Sequence, residues 1–95
     1  MTTGLALTEE SVPRLPRSVK FRFDEARGAW VLLAPERVLV PDEIAADVLR
    51  RLDGKTTLGA ILDGLSRDYD APRDAIAGDV VALLQDLAAK GMITA

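Results

Sequence analysis

The apolar and polar positions between residues 19 and 40 predict three short strands. The run 19–23 alternates apolar and basic residues, so Val19, Phe21 and Phe23 are expected to face the core. The run 29–34 holds consecutive apolar residues without alternation. Because a strand with one wet face should alternate, both faces of this strand are expected to be covered. The third run, 37–40, is expected to be an edge strand, since no other strand remains to pair with it.

The spacing of apolar residues becomes helical after residue 40. Pro41 and Asp42 are typical of a first helical turn, Thr56 or Thr57 is expected to cap a second helix, and Pro72 begins a third. Gly91 is expected to end the third helix, after which the chain folds back onto the core. The apolar stripes are Ile44, Val48, Leu49 and Leu52 in the first helix, Leu58, Ile61, Leu62, Leu65 and Tyr69 in the second, and Ile76, Val80, Leu83, Leu84 and Leu87 in the third.

This order of elements predicts an α+β fold in which a three-stranded antiparallel sheet is followed by a three-helix bundle. The outline is that of a small winged helix-turn-helix-like domain with the sheet placed before the helices. A length of 95 residues corresponds to one domain. Residues 1–12 are polar and without periodicity, which predicts a flexible amino-terminal tail, and residues 13–95 form the predicted domain.

The amino-acid composition excludes most kinds of active site. The chain has no cysteine and no histidine, so it cannot form a disulfide, a thiol nucleophile, a cysteine-held metal centre or a serine–histidine pair. Carboxylate pairs such as Asp42/Glu43 and Asp68/Asp70 are interpreted as solvated helix ends rather than as a metal site. We therefore expect a protein that is not an enzyme and that has no cofactor and no metal.

No stretch of the sequence indicates export or membrane insertion. The first residues lack a basic region followed by an apolar core, and no apolar run is long enough to cross a bilayer. The expected location is the cytoplasm, without membrane association.

The distribution of charge bears on a nucleic-acid hypothesis. Residues 14–37 carry a net charge of +3 and residues 41–95 a net charge of −4. A DNA-recognition helix should present basic or amide side chains to the bases and phosphates. Between Arg73 and Lys90 the third helix offers Asp74, Asp79, Gln85 and Asp86, with no basic residue in its middle. A winged-helix DNA-binding regulator therefore remains only an alternative, and nucleic acid is not the expected partner.

Two features suggest a binding surface, and each has an ordinary structural explanation. Core packing is the ordinary explanation of Trp30, and protection by the flanking Arg37 and Pro41 is the ordinary explanation of the apolar edge strand. An apolar edge strand beside an amphipathic helix is also a suitable site for the addition of a peptide strand. From the residues alone, the structural and the peptide-binding interpretations are about equally supported.

The sequence resembles the PqqD family, the peptide chaperones of pyrroloquinoline quinone biosynthesis. The most specific match is the run Arg22-Phe-Asp-x-x-Arg-Gly-x-Trp-Val-Leu-Leu-Ala-Pro-Glu-Arg37. Weaker matches are Leu52-Asp-Gly54, the helix start at residues 57–58, and the pattern Asp79-Val-x-x-Leu-Leu-x-x-Leu-x-x-x-Gly91. The resemblance as a whole covers about residues 13–93 of the chain.

The resemblance implies a recognition element for ribosomally made and modified peptides. Such a protein binds the precursor peptide PqqA and presents it to the radical-SAM enzyme PqqE, which joins a glutamate to a tyrosine of the peptide. It further implies that the peptide adds to the third strand and packs against the third helix. The peptide-binding residues implied in this chain are Arg37, Val38, Leu39, Val40, Asp79, Val80, Leu83, Leu84 and Leu87, and the family signature adds Arg27, Trp30 and Glu36, each in contact with peptide or enzyme.

Two further questions stay open from the sequence. A binder of the quinone product or of an intermediate, with Trp30 as a stacking surface, is another alternative function. For the oligomeric state we predict a monomer, with a strand-exchanged dimer through the free edge as the alternative at high concentration. The resemblance also implies an iron–sulfur cluster and S-adenosylmethionine in the pathway. Both would belong to the enzyme partner, since this chain has no cysteine to hold a cluster.

Overall fold

The computed structural model describes residues 6–95 and confirms the predicted α+β order. Three strands come first, β1 (Lys20–Asp24), β2 (Ala29–Ala34) and β3 (Arg37–Leu39). Three helices follow, α1 (Glu43–Arg50), α2 (Leu58–Tyr69) and α3 (Arg73–Ala89). The strands form one antiparallel sheet in the order β1-β2-β3, so β2 is central and β3 lies at an edge.

The pairing of β2 is unequal on its two sides. Five of its six residues lie opposite residues of β1, from Ala29 opposite Asp24 to Leu33 opposite Lys20, and only Ala34 does not. On the other side β3 pairs only with residues 32–34 of β2. The reason is the sequence after Leu39, where Pro41 has no N–H for a ladder and its fixed φ suits the start of α1. The edge strand is therefore only three residues long.

The second helix begins after Thr57 as predicted, whereas α1 is shorter than predicted. It begins at Glu43, with Asp42 as its cap rather than within its first turn, and ends at Arg50, before Leu52. The Asp42 carboxylate accepts a hydrogen bond from the N–H of Ala45 at the start of α1, at 2.8 Å. The Thr57 hydroxyl accepts one from the N–H of Ala60 at the start of α2, at 3.2 Å. These bonds satisfy backbone donors that have no partner within the helix. Gly91, which follows α3, has a φ of +76°, a left-handed conformation that favours glycine.

The core lies between the helices and one face of the sheet. Leu32 of β2 is 1% exposed and belongs to the same buried cluster as Val48 of α1, Ile61 of α2 and Leu84 of α3. Val31 points to the opposite face and is only 2% exposed. The centre of β2 is thus buried on both faces, as the absence of alternation predicts. Met92, at 0% exposed, confirms that the chain folds back onto the core.

Three residues that the apolar pattern assigned to the core are exposed. Phe23 is 46%, Ile44 58% and Tyr69 38% exposed. Tyr69 is the last residue of α2, and its hydroxyl donates to Asp47 at the surface. The helices cover the sheet around Leu32, whereas Phe23 lies opposite Trp30 at the far end of the β1–β2 hairpin. Ile44 occupies the first turn of α1, whose buried positions begin only at Ala46. Periodicity identified the correct side of each element but not how far along that side the neighbouring elements extend.

The segment before β1 contacts the helices. The backbone carbonyls of Glu9 and Ser11 accept hydrogen bonds from the N–H groups of Gly59 and Leu58, the first two residues of α2, at 2.9 and 2.7 Å. The Glu9 carboxylate also pairs with Arg73 at 2.7 Å. The predicted tail, residues 1–12, includes residues 1–5, which lie outside the described part. The flexibility of residues 1–12 as a whole stays a prediction.

The described residues also bear on membrane insertion. None of the three helices within residues 6–95 combines the length and the apolar character needed to cross a bilayer.

Gly78, in the interior of α3, provides a test of helix packing. An added Cβ there would meet no atom within 4 Å, so Gly78→Ala should raise the free energy of unfolding by ~0.5–1 kcal/mol through helix propensity. The measurement is urea denaturation followed by circular dichroism. Gly91→Ala is the matched control, since its positive φ should make the same substitution destabilising. Equal effects of the two substitutions would contradict the described course of α3.

Candidate functional site

A groove lies between β3 and α3, with the start of α1 at one side. Its volume is about 250 Å³, and we call it the strand-3 groove. Strand β3 and the segment after it supply one wall, and one side of α3 supplies the other. The residues that line it are Leu32, Leu39, Val40, Pro41, Asp42, Ala45, Leu49, Leu83, Asp86, Leu87 and Lys90.

The floor of the groove is part of the hydrophobic core. Leu32, Leu49 and Leu87 line it and are only 1%, 2% and 6% exposed. Higher on the walls, Leu39 and Leu83 are half-buried, and both pack against the core. The groove therefore offers an apolar, largely pre-formed surface to a side chain that enters from solvent.

The rim of the groove is charged. The Lys90 ammonium donates to the Asp86 carboxylate at 2.7 Å, and Asp42 at the opposite side caps α1. These groups are exposed and already have partners within the chain. An apolar floor with a polar rim is the usual arrangement of a protein-binding surface, in which the floor supplies affinity and the rim supplies selectivity.

The free edge of β3 borders this groove. Among residues 6–95 no strand pairs with the side of β3 that faces away from β2. The apolar side chains of Val38 in β3 and of Val40 just after it are open for their size, 49% and 52% exposed. An apolar edge of this kind is a template for another extended chain unless something covers it.

The turn between β2 and β3 determines which backbone groups face outwards. Two residues, Pro35 and Glu36, separate Ala34 from its pairing partner Arg37. The closing pair of a two-residue turn exchanges its hydrogen bonds, and the next pair does not. The N–H and C=O of Val38 are therefore directed to the free edge.

Four of the nine peptide-binding residues that the resemblance implies line the strand-3 groove. They are Leu39 and Val40 on the strand side and Leu83 and Leu87 on the helix side. The structure thus places the third strand and the third helix at opposite walls of one cavity.

The other five implied residues lie elsewhere. Val80 and Leu84 are core residues, 4% and 0% exposed. Asp79 is exposed on α3, and Val38 projects from the sheet face opposite Leu39. Arg37 lines a separate depression beside the β2–β3 turn. The structure does not bring these five into the groove.

The three signature residues also lie outside the strand-3 groove. Arg27, in the β1–β2 loop, pairs with Asp24 at 3.2 Å, and both are surface groups. Glu36 is exposed in the β2–β3 turn. Trp30 stacks on Phe21, with ring centroids 4.8 Å apart. Arg27 and Trp30 belong to the β1–β2 hairpin, whereas Glu36 lies beside the groove-forming strand.

The contribution of α1 was not predicted. Ala45 and Leu49 line the groove from this helix, although the resemblance implies only β3 and α3. On α3 a signal was present, because Leu83, Asp86, Leu87 and Lys90 follow the i, i+3, i+4, i+7 spacing of one helix face. No comparable sequence signal shows that α1 closes the other side.

A polar network fixes α1 against α2 and thereby supports the groove. Asp47 of α1 accepts hydrogen bonds from the Tyr69 hydroxyl at 2.6 Å and from Arg51 at 3.2 Å. Arg51 also donates to Asp68 of α2 at 2.6 Å. Arg51 lies across Gly64, where an added Cβ would be 2.7 Å from a guanidinium nitrogen. Glycine at this position lets the side chain approach the helix.

This network shifts the acidity of Asp47. Partial burial disfavours the charged carboxylate and would raise its pKa. The hydrogen bonds from Tyr69 and Arg51 and the nearby positive charges outweigh burial, and the pKa of Asp47 is lowered. The same carboxylate raises the pKa of the Tyr69 hydroxyl. Asp47 is therefore a charged structural group.

The described residues show no arrangement suited to metal binding. Within residues 6–95 no group of three or more acidic side chains is placed to hold a metal ion. What the geometry offers is an apolar groove and an open strand edge.

The matching family model is that of Coenzyme PQQ synthesis protein D (PqqD), and it covers residues 29–93 of this chain. A protein of Rhodopseudomonas palustris strain HaA2, described as a PqqA binding protein, is 52% identical over 95% of this chain and 88% of its own length.

Solved structures give the same result for the fold. The solution structure of the PqqD truncation of Methylobacterium extorquens PqqCD has a TM-score of 0.80 and 42% identity, covering 95% of this chain and 96% of that one. It is described as a functional, stand-alone recognition element for ribosomally synthesised and post-translationally modified peptides. The crystal structure of PqqD from Xanthomonas campestris has a TM-score of 0.56 and 40% identity, covering 90% and 96%.

The Asp47 network predicts how stability depends on pH. Because the pKa of Asp47 is lower in the folded chain, its contribution is present above its ordinary value of 3.8 and is lost as the pH falls through the folded value. Asp47→Asn should lower the free energy of unfolding by ~1 kcal/mol at neutral pH. The difference in the free energy of unfolding between wild type and Asp47→Asn should become smaller in acid. Denaturation at a series of pH values measures it.

A second variant controls for the hydrogen bond itself. Tyr69→Phe removes one donor to Asp47 and keeps the ring, so it should give a smaller loss in the same direction. If the difference in the free energy of unfolding between wild type and Asp47→Asn does not change with pH, Asp47 does not stabilise the fold as a charged carboxylate.

Proposed function

Because this chain belongs to the PqqD family, we propose that it binds the precursor peptide PqqA in coenzyme PQQ synthesis. The observation that carries the proposal is the strand-3 groove, an apolar cavity placed directly beside a free strand edge. Relatives that align with nearly the whole of this chain are described as PqqA binding proteins. The proposed activity is binding rather than catalysis.

The proposed mode of binding is strand addition. An extended peptide segment would pair with the backbone of Val38 at the free edge, so that the sheet gains a fourth strand. Side chains alternate across a strand, so every second peptide side chain would face the groove between β3 and α3. Leu39 and Leu83 on opposite walls are the contacts expected to discriminate between apolar and charged side chains.

Arg37, Asp79 and Glu36 have a different proposed role. All three are exposed and lie outside the groove. They suit contacts with polar parts of the peptide or with an enzyme that receives it. Val80 and Leu84 would act indirectly, since their burial holds α3 at its distance from β3.

The proposed partner of the complex is the radical-SAM enzyme PqqE, to which the bound peptide is presented. Strand addition leaves the far side of the peptide open to solvent, which is a requirement for presentation. In this role the protein acts as a cytoplasmic monomer. Occupation of the edge by peptide would also remove the surface through which two copies could exchange strands.

Isothermal titration with synthetic PqqA tests the groove. Leu83→Glu should weaken binding at least ~10-fold, because the carboxylate would be buried against an apolar peptide side chain without a partner. Ala82→Glu adds the same charge at the neighbouring exposed position of α3 and should leave the affinity unchanged. Addition of PqqE to the wild-type titration should increase the affinity.

Two outcomes would contradict the proposal, one for the strand-3 groove as the peptide site and one for peptide binding itself. Equal affinity of the two glutamate variants, both folded by circular dichroism, would show that the peptide binds elsewhere. Absence of binding to wild type by titration and by a second method would reject peptide recognition itself.

The backbone of the edge is tested separately from its side chains. Val38→Pro removes the outward N–H and should weaken PqqA binding about tenfold, the cost of one lost backbone hydrogen bond with an unsatisfied partner. Val38→Thr keeps the N–H and a β-branched side chain and serves as the control. If the proline variant remains folded and binds like the threonine variant, strand addition at Val38 is wrong.

A further inference from the structure

A second cavity lies on the other side of the amino end of α1. Its volume is about 370 Å³, and its lining includes Phe23, Trp30, Glu43 and Arg50. We call it the Trp30 cavity. It shares two lining residues, Pro41 and Asp42, with the strand-3 groove. The two cavities are therefore neighbours, separated only by the first turn of α1.

The sheet narrows from three strands to two where the two cavities meet. Strand β3 pairs with residues 32–34 of β2 and not with those before them, so within residues 6–95 Ala29, Trp30 and Val31 have no third strand beside them. Pro41 stands where the ladder would continue, and it lacks an N–H donor. An extended chain that pairs with β3 therefore cannot continue along it past Val40. The two residues that follow Val40, Pro41 and Asp42, also line the Trp30 cavity.

The side chains around this cavity form an open aromatic cluster. Trp30 is stacked on Phe21, and Phe23 lies edge-on to it with ring centroids 5.8 Å apart. The Arg50 guanidinium carbon is 5.6 Å from the centroid of the indole. Phe23 is nevertheless 46% exposed. The cluster therefore leaves one large aromatic surface, that of Phe23, exposed in the lining of the Trp30 cavity.

Resting on the proposed function, we propose that the Trp30 cavity binds an aromatic side chain of the same peptide, from the segment beyond its β3-paired part. An aromatic ring fits better than an aliphatic chain because aromatic pairs gain from edge and face geometry in addition to buried area. A guanidinium such as that of Arg50 can also lie against a second ring. The signature residue Trp30 thereby has a role distinct from the groove.

The continuity of the surface selects the same peptide as occupant. Pro41 and Asp42 line both cavities, so a separate ligand in the Trp30 cavity would compete for these two residues with a peptide in the groove. A peptide that follows β3 reaches those two residues through chain connectivity alone. The second contact then gains from the first, because the segment is already held nearby.

A double-mutant cycle between protein and peptide tests the proposal. The probes are synthetic PqqA and a set of variants in which each aromatic residue in turn is replaced by leucine. For one replacement, affinity for the wild-type protein should fall about three- to tenfold. The same replacement should have little further effect on the Phe23→Leu protein, which retains an apolar side chain at this half-exposed position.

Fluorescence provides a second measurement on the same samples. Trp30 is the single tryptophan of the chain, so its emission reports on this cavity. Binding of PqqA should shift the emission, and the critical leucine replacement should abolish the shift while the peptide still binds.

The outcomes separate this inference from the proposed function. If PqqA binds and Leu83→Glu weakens it, but no aromatic replacement couples to Phe23, the Trp30 cavity is not a peptide site and the groove proposal stands. If wild type does not bind PqqA, both proposals fail. If a replacement couples to Phe23 and removes the change in emission, the second site is supported.

Discussion

The burial of Leu32 beneath the helices is the contact on which the candidate site depends. This side chain lies in the core with Leu49 and Leu87, and the same three residues form the floor of the strand-3 groove. Core packing therefore sets the distance between β3 and α3, and with it the width of the groove. A change in the floor alters the stability of the domain and the shape of the groove together. If the groove holds peptide as proposed, its selectivity can vary without loss of stability only at wall and rim positions such as Leu39, Leu83 and Asp86.

The sequence was most informative where local pattern determines structure. The strand order, a threonine cap at residue 56 or 57 and the end of α3 at Gly91 follow from short-range chemistry, and all were predicted. Asp42 was expected inside the first turn of α1 and instead caps it. The exposure of Phe23 and Ile44 was not, because it depends on where neighbouring elements stop. Their periodic positions are equivalent to those of buried residues, so no local pattern separates them.

The candidate site divides in the same way. The third strand and the third helix were implied by resemblance, and the helix side has its own periodic signal in Leu83 and Leu87. The wall from α1, with Ala45 and Leu49, arises from the tertiary placement of a helix whose sequence resembles that of any amphipathic helix. The Trp30 cavity likewise depends on β3 ending after three residues paired with β2, and sequence alone places such a strand end only to within about two to four residues.

The chain reversal beyond α3 joins the two ends of the domain. The backbones of Arg14 and Thr94 exchange hydrogen bonds of 2.8 and 2.9 Å, whereas the strand pairings are hairpins between neighbours in sequence. Closing a loop of this length costs about 4 kcal/mol of chain entropy, and only a nearly complete fold can offset that cost. Hairpins and helices can therefore form early from local contacts. The backbone pairing of Arg14 with Thr94 should be the last of these contacts to form on folding and the first to break on unfolding.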